Sequence, residues 1–380
     1  VRQRYFTEKL FLTYEANYHV SKMNENYKLL QAGISQQILK VVDRSFKSFF
    51  NLLKKAQRGE YRFQDVKMPK YLPKDGLFPL ILSTNAIRVK EGYFYIPLSN
   101  AYKKGSKIKE LKVKFPPQLE GKKLKEVRII PKAKGQHFDI QYVYEQPFET
   151  AELDISKVLA IDIGLNNLAT CVTSDGLSYV YDGKPLKSMN HYYNKRKAKF
   201  QAIANKQGMK YTKRLAQIDI KRNNRVKDYM RKVARSIINF CVAQQIGTLV
   251  MGYNKDFKRN MTLGKKNNQQ FTQIPFGVLR EYLYNLCEYY GIDYVEQEES
   301  YTSKASFFDN DELPTWKPEK EKHAFSGKRI CRGLYQTGKG FIVNADVNGA
   351  LNILRKSNLI DSNILQAKGC LAHPQRVRIV

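Results

Sequence analysis

The chain has 380 residues, and its 66 lysines and arginines outnumber 35 aspartates and glutamates to give a formal net charge of +31 at pH 7. This length allows two or three domains with hydrophobic cores, and the charge far exceeds what solubility requires. Because no apolar run approaches the ~18 residues of a spanning helix, the excess favours nucleic acid over a membrane as the polyanionic partner.

Residues 1–60 have a helical pattern. Between Ile34 and Leu53, apolar residues recur at helical spacing opposite a basic face. Ser35 is the predicted N-cap of this helix, and Gly59 is predicted to end it.

Residues 61–150 change to a β pattern. Prolines separate short alternating segments such as YFYIPL and KEVRIIPK, which predicts a β-rich module of the small-barrel or sandwich type. Lysine-rich stretches within it also favour a polyanionic partner.

A linker is predicted at residues 151–157, followed by the strand–turn–strand pattern VLAIDIGLNNLATCV from Val158. Asp162 interrupts the apolar run, and an unpaired carboxylate in a buried strand is costly. This stretch alone fits a metal ligand at the strand end and a turn-capping aspartate equally well.

A long basic helical region follows, broken near Gly208 and ending at Gly247. So many cations on one helix repel one another unless phosphates neutralise them, so we predict contact with nucleic acid rather than an idle solvated face. The predicted binding residues, including four in the next loop, are Lys213, Arg214, Lys221, Arg222, Arg225, Lys227, Arg231, Arg235, Lys258, Arg259, Lys265 and Lys266.

The remaining pattern predicts strands at 248–254 and 292–299, a helix between them, and a helix that opens near Asp346 in NADVNGALNIL. A helix N-terminus favours an ionised acid such as Asp346. Two aspartates and one glutamate from separate elements suffice to hold two Mg²⁺ ions, which can together hydrolyse a phosphodiester.

AIDIGLNNLAT and NADVNGALNIL resemble the first and third motifs of the RuvC nuclease domain in the TnpB proteins of transposons. YTSK, RNNRVKDYM and HPQRVRIV also resemble TnpB sequences. The resemblance covers nearly the whole chain and implies an α+β multidomain protein. Its expected parts are a helical nucleic-acid recognition region at 1–60, a β-barrel wedge module at 61–150 and an RNase H-like RuvC domain at 151–380.

The resemblance implies an endonuclease guided by RNA from the transposon end, similar to the type V CRISPR effectors. Its expected partners are that guide RNA and double-stranded target DNA, where base pairing reads most of the sequence. We expect a prokaryotic cytoplasmic, nucleoid-associated protein, since no signal peptide opens the chain. The residues leave open whether it is a monomer or a dimer.

One departure concerns the RuvC glutamate, which many TnpB proteins carry where this chain has Met251-Gly252-Tyr253-Asn254. Asp256 is the nearest acid but lies in a lysine-rich loop. If the second and third strands are neighbours, a carboxylate at the end of the third strand can reach the same metals, so we predict a relocated glutamate, Glu299 first and Glu298 as the alternate. Only one of the two should face the metals, because adjacent residues of a strand point to opposite faces.

The catalytic and metal-binding set is thus predicted as Asp162, Glu299 and Asp346 with Mg²⁺, with no side-chain nucleophile. Three classes remain open. The alternative to the nuclease is a nuclease-dead, RNA-guided repressor, and a third is a transposase that joins strands itself, which the missing HUH-type histidine pair argues against.

A second departure concerns the four-cysteine zinc ribbon of many TnpB proteins. The five cysteines are scattered without a CxxC pair, and the corresponding interval holds only Cys331 and His323, too few for a tetrahedral zinc site. We therefore expect no zinc and a zinc-free insertion at 305–340. The expected ordering residues are Phe307, Phe308, Trp316 and Tyr335.

Overall fold

A computed structural model describes residues 1–254, 265–315, 323–361, 365 and 373–379. The chain divides into two compact units, Val1–Pro147 and Phe148–Val380. Within those described ranges, no helix has the length and apolar character needed to cross a membrane.

The first unit opens with helices and continues with short strands. Its elements are α1 Arg2–Glu8, α2 Tyr14–Ser21, α3 Glu25–Leu29, α4 Ala32–Gln57, β1 Leu80–Ser83, β2 Arg88–Lys90, β3 Tyr93–Tyr95, α5 Asn100–Gly105, β4 Lys112–Lys114, β5 Leu124–Lys132 and β6 His137–Tyr144. The strands form two antiparallel three-stranded sheets, ordered β1-β5-β6 and β2-β3-β4. Ile34 of α4 shares a buried core with Leu82 of β1 and Phe94 of β3, so the helical and β-rich segments fold together.

The cap predicted for α4 is wrong. Gln31 is the N-cap, and its side-chain oxygen accepts a hydrogen bond from the Ile34 amide at 3.2 Å. Ser35 lies inside the helix because the helix begins three residues earlier, and its hydroxyl donates to the Tyr27 carbonyl at 2.8 Å.

The second unit alternates strands and helices. Its elements are β7 Asp154–Ile163, β8 Asn167–Thr173, β9 Ser178–Asp182, α6 Lys184–Lys206, α7 Lys213–Ala243, β10 Ile246–Tyr253, α8 Lys265–Gln273, α9 Phe276–Tyr290, β11 Asp293–Glu298, β12 Lys328–Cys331, β13 Leu334–Gln336, β14 Ile342–Asn344, α10 Ala345–Lys356 and β15 Gln375–Val377. The predicted break near Gly208 separates α6 from α7.

The main sheet has the strand order β11-β10-β7-β8-β9-β15. β7 is antiparallel to β8, β8 is antiparallel to β9, and β10 runs parallel to both β7 and β11. The C-terminal ends of β7, β9, β10 and β11 therefore meet at one edge of the sheet. We call it the carboxyl edge, and its strands end at Ile163, Asp182, Tyr253 and Glu298.

The predicted linker at 151–157 is wrong in its second half, because β7 already begins at Asp154. Asp154 pairs with Ile246 of β10, and the Thr248 hydroxyl donates to the Ile155 carbonyl at 3.0 Å. The first residues of β7 therefore pair with β10, although their sequence lacks the apolar pattern that predicts a strand.

Helices cover both faces of the main sheet. On one face, Leu159 and Ile161 of β7 pack in the same core as Met230 and Val233 of α7. On the other face, Val158 and Ala160 pack with α10. Since side chains alternate along a strand, Asp162 belongs with Val158 and Ala160 on the α10 face.

The second half of α7 packs on the sheet, and its first half extends past the carboxyl edge. The Tyr229 hydroxyl donates to the Asp182 carbonyl at the end of β9, at 2.5 Å. Two residues after Asp182, α6 begins and runs antiparallel to α7, as contacts from Asn190 to Arg222 and from Tyr193 to Asp219 show. The two helices therefore form a hairpin that projects beyond this edge.

The predicted insertion contains more regular structure than its sequence pattern indicates. β12, β13 and β14 form a small antiparallel sheet. Phe307 is buried against α10 with Phe308 beside it, and Tyr335 of β13 is buried with Val343 and Ala345. Trp316 lies outside the described residues.

Candidate active site

Asp162 stands near the end of β7 at the carboxyl edge. It pairs with Thr170 of β8 and follows Ile161, whose partner on the other side is Met251 of β10. Desolvation by burial raises the pKa of its carboxyl group well above the usual range, and the charges of Glu299 and Asp346 raise it further. The charges of two other acids therefore act on Asp162, which is not an isolated turn cap.

Asp346 lies in the first turn of α10. The Asn344 side-chain oxygen caps this helix by accepting hydrogen bonds from the Asp346 and Val347 amides, at 3.0 and 3.1 Å. The Asp346 carboxylate accepts from Asn167 Nδ2 at 2.8 Å and from Arg329 Nη2 at 3.1 Å. Both of its oxygens are thus held in place from neighbouring elements.

Two glycines make room for the acids. A Cβ atom at Gly349 of α10 would lie 2.9 Å from Asp162 Oδ2, closer than real Cβ contacts allow. A Cβ atom at Gly252 of β10 would lie 3.1 Å from Glu299 Oε2. The Glu299 carboxyl group therefore lies over the end of β10. This is beside residues 251–254, the position at which the sequence comparison expected the RuvC glutamate.

Glu299 is the first residue after β11 and is half-buried. Burial raises its pKa to about 7, with a further contribution from Glu298 that Arg280 partly opposes. Its carbonyl accepts hydrogen bonds from the Thr302 amide and hydroxyl, at 3.3 and 2.9 Å. These bonds turn the chain directly after the acid.

Two buried asparagines of α10 anchor the segment that follows Glu299. Asn348 donates to the Ala305 carbonyl at 2.8 Å and accepts from the Phe307 amide at 3.0 Å. Asn352 donates to the carbonyls of Thr302 and Ala305, at 2.9 and 2.7 Å. The YTSK segment and the asparagines of NADVNGALNIL thus cooperate to fix the chain beside Glu299.

Glu298 makes different contacts. It accepts from Lys356 Nζ of α10 at 2.6 Å and from the Ser300 amide at 2.7 Å. Burial raises the pKa of Glu298, but these hydrogen bonds outweigh it and lower the pKa below the ordinary value. Glu298 is thus ion-paired with α10, whereas Glu299 is the glutamate whose charge reaches Asp162.

The donor chemistry of the three acids fits Mg²⁺, which takes carboxylate oxygens and keeps several waters. A cation between them would also relieve the repulsion that, in addition to burial, raises the pKa of Asp162. Across the part of the chain that the structure describes, no group of three or more His, Cys, Asp or Glu residues is already arranged to hold a metal ion.

Sequence reasoning missed two neighbours of Asp346. Asn167 follows Asp162 in the GLNN turn, so its motif position offered a signal. Arg329 lies on β12, and only the folding of the small sheet brings it to within 3.1 Å of Asp346. No spacing rule in the sequence predicts that contact.

Most cations predicted to bind nucleic acid on α7 are exposed to solvent. The exposed residues are Lys213, Arg214, Lys221, Arg225, Lys227, Arg231 and Arg235. Arg222 is half-buried and donates to Asn190 Oδ1 at 2.7 Å and to the Gln273 carbonyl at 2.5 Å, so it also connects α7 to its neighbours.

Several residues predicted to bind nucleic acid or metal lie outside the part of the chain that the structure describes. Lys258, Arg259 and Asp256 lie beyond the described residues, and for Lys265 and Lys266 only the helical backbone of α8 is described. Of the two residues considered for zinc, one lies on a strand and the other in a loop. Cys331 is exposed on β12, and the His323 ring packs edge-on against Tyr301 with their centroids 4.9 Å apart.

Comparison with protein families gives two matches in the second half of the chain. Residues 141–258 match the OrfB_IS605 family, described as a probable transposase. Residues 276–353 match the Cas12f1-like TNB domain. These two matches include the segments that carry Asp162, Glu299 and Asp346.

A relative and two solved structures extend the comparison. The TnpB-like protein ORF457 of Acidianus two-tailed virus is 26% identical over 210 residues, covering 53% of this chain and 42% of that protein. The chain therefore spans less than half the length of this relative. A cryo-EM structure of a Cas12f1–sgRNA–target DNA complex aligns with a TM-score of 0.51 and 16% identity, covering 92% of this chain and 77% of that chain.

A second cryo-EM structure, of a CRISPR-Cas12f ternary complex, aligns with a TM-score of 0.39 and 14% identity over 93% of this chain and 77% of that chain. The TM-score of 0.51 supports a Cas12f-like mixed α/β fold. The two family matches and the viral relative together support the assignment of the chain to the TnpB family.

Proposed function

We propose that this protein is an RNA-guided, Mg²⁺-dependent DNA endonuclease of the TnpB type. The observation that carries the proposal is that Asp162, Glu299 and Asp346 lie near one another at the carboxyl edge, where burial and then the charges of the two other acids raise the pKa of Asp162. A buried acid whose pKa is raised further by neighbouring acids is typical of functional sites. Membership of the TnpB family makes phosphodiester hydrolysis the chemistry that fits them.

In this proposal Asp162, Glu299 and Asp346 hold the Mg²⁺ ions. When bound, the ions supply positive charge for the leaving oxygen and lower the pKa of water. Asn167 keeps Asp346 oriented through its 2.8 Å hydrogen bond. Arg329, whose side chain is 47% exposed, can exchange Asp346 for a phosphate oxygen of the substrate, since a guanidinium pairs well with either anion.

The proposed partners are a guide RNA from the transposon end and double-stranded target DNA. The net charge of +31 supports such partners, and the aligned Cas12f1 structure is a complex with sgRNA and target DNA. We assign guide and target binding to the helical region at 1–60 and to a wedge module at 61–150. The RuvC-like domain at 151–380, with a zinc-free insertion at 305–340, carries the chemistry in the nucleoid.

The proposal is tested by measuring RNA-guided cutting of plasmid DNA. The protein is co-expressed with RNA transcribed from its own transposon end, purified as the complex and incubated with a matching plasmid in Mg²⁺. We expect cutting by the wild type, none by Asp162→Ala, and cutting by the control Asp228→Ala, whose exposed carboxylate pairs with Lys232 at 3.5 Å on α7. Guided binding by the wild type without any cutting would contradict the proposal and indicate a repressor.

A further inference from the structure

A cleft of about 390 Å³ lies between α6 and α7, where their hairpin projects past the carboxyl edge. Five cations and two tyrosines line it, and none of the described residues that line it is a carboxylate. The cations are Arg196, Arg214, Lys221, Arg222 and Arg225. Its volume is within the range of ~300–1,000 Å³ found for small-molecule sites.

The charge of the cleft is positive and largely uncompensated. Asp219, on the same stretch of α7, accepts hydrogen bonds from Tyr193 and Tyr211 at 2.8 and 2.9 Å and pairs with Lys197 at 3.2 Å. Asp219 is therefore already neutralised by a partner outside the lining. An anion entering the cleft would meet exposed guanidinium and ammonium groups.

Tyr192 supplies an exposed aromatic ring in this positive environment, and the Arg196 guanidinium lies over it, with Cζ 5.6 Å from the ring centre. The residue is 56% exposed, and its hydroxyl accepts from Arg196 Nη1 at 2.8 Å. That hydrogen bond and the charge of Arg196 lower the pKa of Tyr192, and Lys221 and Arg225 contribute as well. The positive charges of three residues therefore act on the Tyr192 hydroxyl.

The wall behind Tyr192 is already organised. The Arg222 guanidinium is fixed by Asn190 and Gln273 and lies 5.4 Å from the centre of the Tyr193 ring. Arg196 and Arg214 both stack on Phe200, at 5.5 and 5.3 Å from its centre. A ligand that enters such a preorganised cleft has little side-chain ordering left to impose.

We infer that the cleft binds single-stranded DNA, with one base stacked on Tyr192 and the adjacent phosphates on Lys221 and Arg225. Only an unpaired base offers a free face to a tyrosine, which excludes a continuous duplex. The Lys187 side chain of α6 donates to Asn166 at 2.9 Å, next to the Asn167 that holds Asp346. This contact connects α6 to the turn next to Asn167, and the assignment of the bound strand to DNA rests on the proposed function.

The first test compares two tetranucleotides, dT4 and a tetramer of abasic deoxyribose with the same phosphates, bound to the purified protein in EDTA. We expect the wild type to bind dT4 about tenfold more tightly than the abasic tetramer. Tyr192→Leu should bind both equally, whereas Tyr192→Phe should keep the preference. Tyr284→Leu is the matched control, because Tyr284 is 45% exposed on α9 and lies outside the cleft; its preference should not change.

The second test identifies the strand. 5-Iodouracil is placed in the target DNA of one guided complex and in the guide RNA of another, and photo-crosslinked peptides are mapped. Crosslinks from DNA to the peptide of Tyr192 support the inference. Crosslinks to that peptide from RNA alone, or equal binding of the two tetramers by the wild type, would overturn it.

The tetranucleotide test also separates this inference from the proposed function. It needs neither a guide nor Mg²⁺, so Asp162→Asn should retain the preference for dT4. A wild-type complex that does not cut would refute the nuclease proposal while leaving the base preference measurable. If the wild type cut its target but showed no preference for dT4, only the inference about the cleft would be refuted.

Discussion

The adjacent residues Glu298 and Glu299, at the end of β11, interact with different charged side chains. Glu298 pairs with Lys356 of α10 at 2.6 Å, whereas Glu299 lies over Gly252 and interacts with Asp162. Their one-residue offset sends the two carboxyl groups in different directions, which gives the pair different predicted roles.

Glu299→Gln should reduce guided cutting at least about 100-fold, because losing even an outer partner of a metal site costs 10- to 100-fold. The fold should persist, since glutamine has the same shape and removes a carboxyl group whose pKa burial raises to about 7. The measurement is the single-turnover cutting rate in Mg²⁺, with the thermal midpoint as the check on folding.

Glu298→Gln is the matched control. It should retain cutting but destabilise the protein by about 1–2 kcal/mol, because Lys356 is 10% exposed and loses its ionised partner while Glu298 is itself 41% exposed. If Glu298→Gln abolished cutting and Glu299→Gln did not, the assignment of the two glutamates would be reversed.

Gly349→Ala adds a single methyl group to α10, and this methyl group should slow DNA cutting. The added Cβ would lie 2.9 Å from Asp162 Oδ2, so the carboxylate or the helix must shift. Displacement of a catalytic group by about 1 Å can cost on the order of 100-fold, and we expect a 10- to 100-fold slower cutting rate.

Gly277→Ala provides the contrast for Gly349→Ala. Gly277 is also in a helix, α9, and a Cβ there meets no atom within 4 Å. Alanine should therefore leave cutting unchanged and raise the free energy of unfolding by up to about 1 kcal/mol. Equal cutting rates for the two alanine variants would show that the close approach to Asp162 is unimportant.

At the scale of elements, Asp309 connects the segment after β11 to the small sheet of β12, β13 and β14. Its carboxylate accepts hydrogen bonds from the Ser306 hydroxyl and from the Gly338 and Lys339 amides. Burial raises the pKa of Asp309, but these hydrogen bonds outweigh it and lower the pKa below the ordinary value. One ionised side chain thus closes the loop between two elements near the site.

Asp309→Ala should destabilise the second unit by about 3 kcal/mol, because the Gly338 and Lys339 amides lose their acceptor. Hydrogen exchange at these amides should accelerate, while exchange in α7 changes little. Unchanged exchange at Gly338 and Lys339 would contradict this role.

The same carboxylate gives a pH dependence of defined sign. Since the pKa of Asp309 is lower in the folded than in the unfolded chain, its contribution to stability is present above the unfolded value near 3.8 and is lost as the pH falls through the folded value. Asp309→Asn should therefore flatten the acid end of the stability profile.

At the scale of the whole molecule, the dominant property is the net charge of +31. Binding that releases counterions from phosphates weakens linearly with the logarithm of salt concentration, by about 0.7 per neutralised phosphate of a single strand. The exposed cations of α7 place part of that charge beside the carboxyl edge.

Lys221→Gln and Arg225→Gln should each lower the salt slope for a single-stranded 20-mer by roughly 0.7. Gln217→Ala removes an uncharged lining residue of the same cleft and should leave the slope unchanged. Titrations between about 50 and 200 mM salt measure these slopes. Slopes equal to the wild type in both charge variants would place the phosphates elsewhere.

The sequence by itself determined the local features of this protein. Apolar periodicity predicted the helices α4, α7 and α9, and charge predicted the class of partner. Asp162 and Asp346 could be singled out because each is an acid at the end of a strand or the start of a helix. Local patterns suffice for these features because they depend on neighbours a few residues apart.

Only the tertiary structure decided which side chains meet. Asn167 and Asp346 are 179 residues apart, and strand pairing and the packing of α10 bring them together. The separation of Glu299 from Glu298, the approach of Arg329 and the packing of Gly349 against Asp162 arise in the same way. Such contacts depend on register and on helix–sheet packing, which no short stretch of sequence encodes.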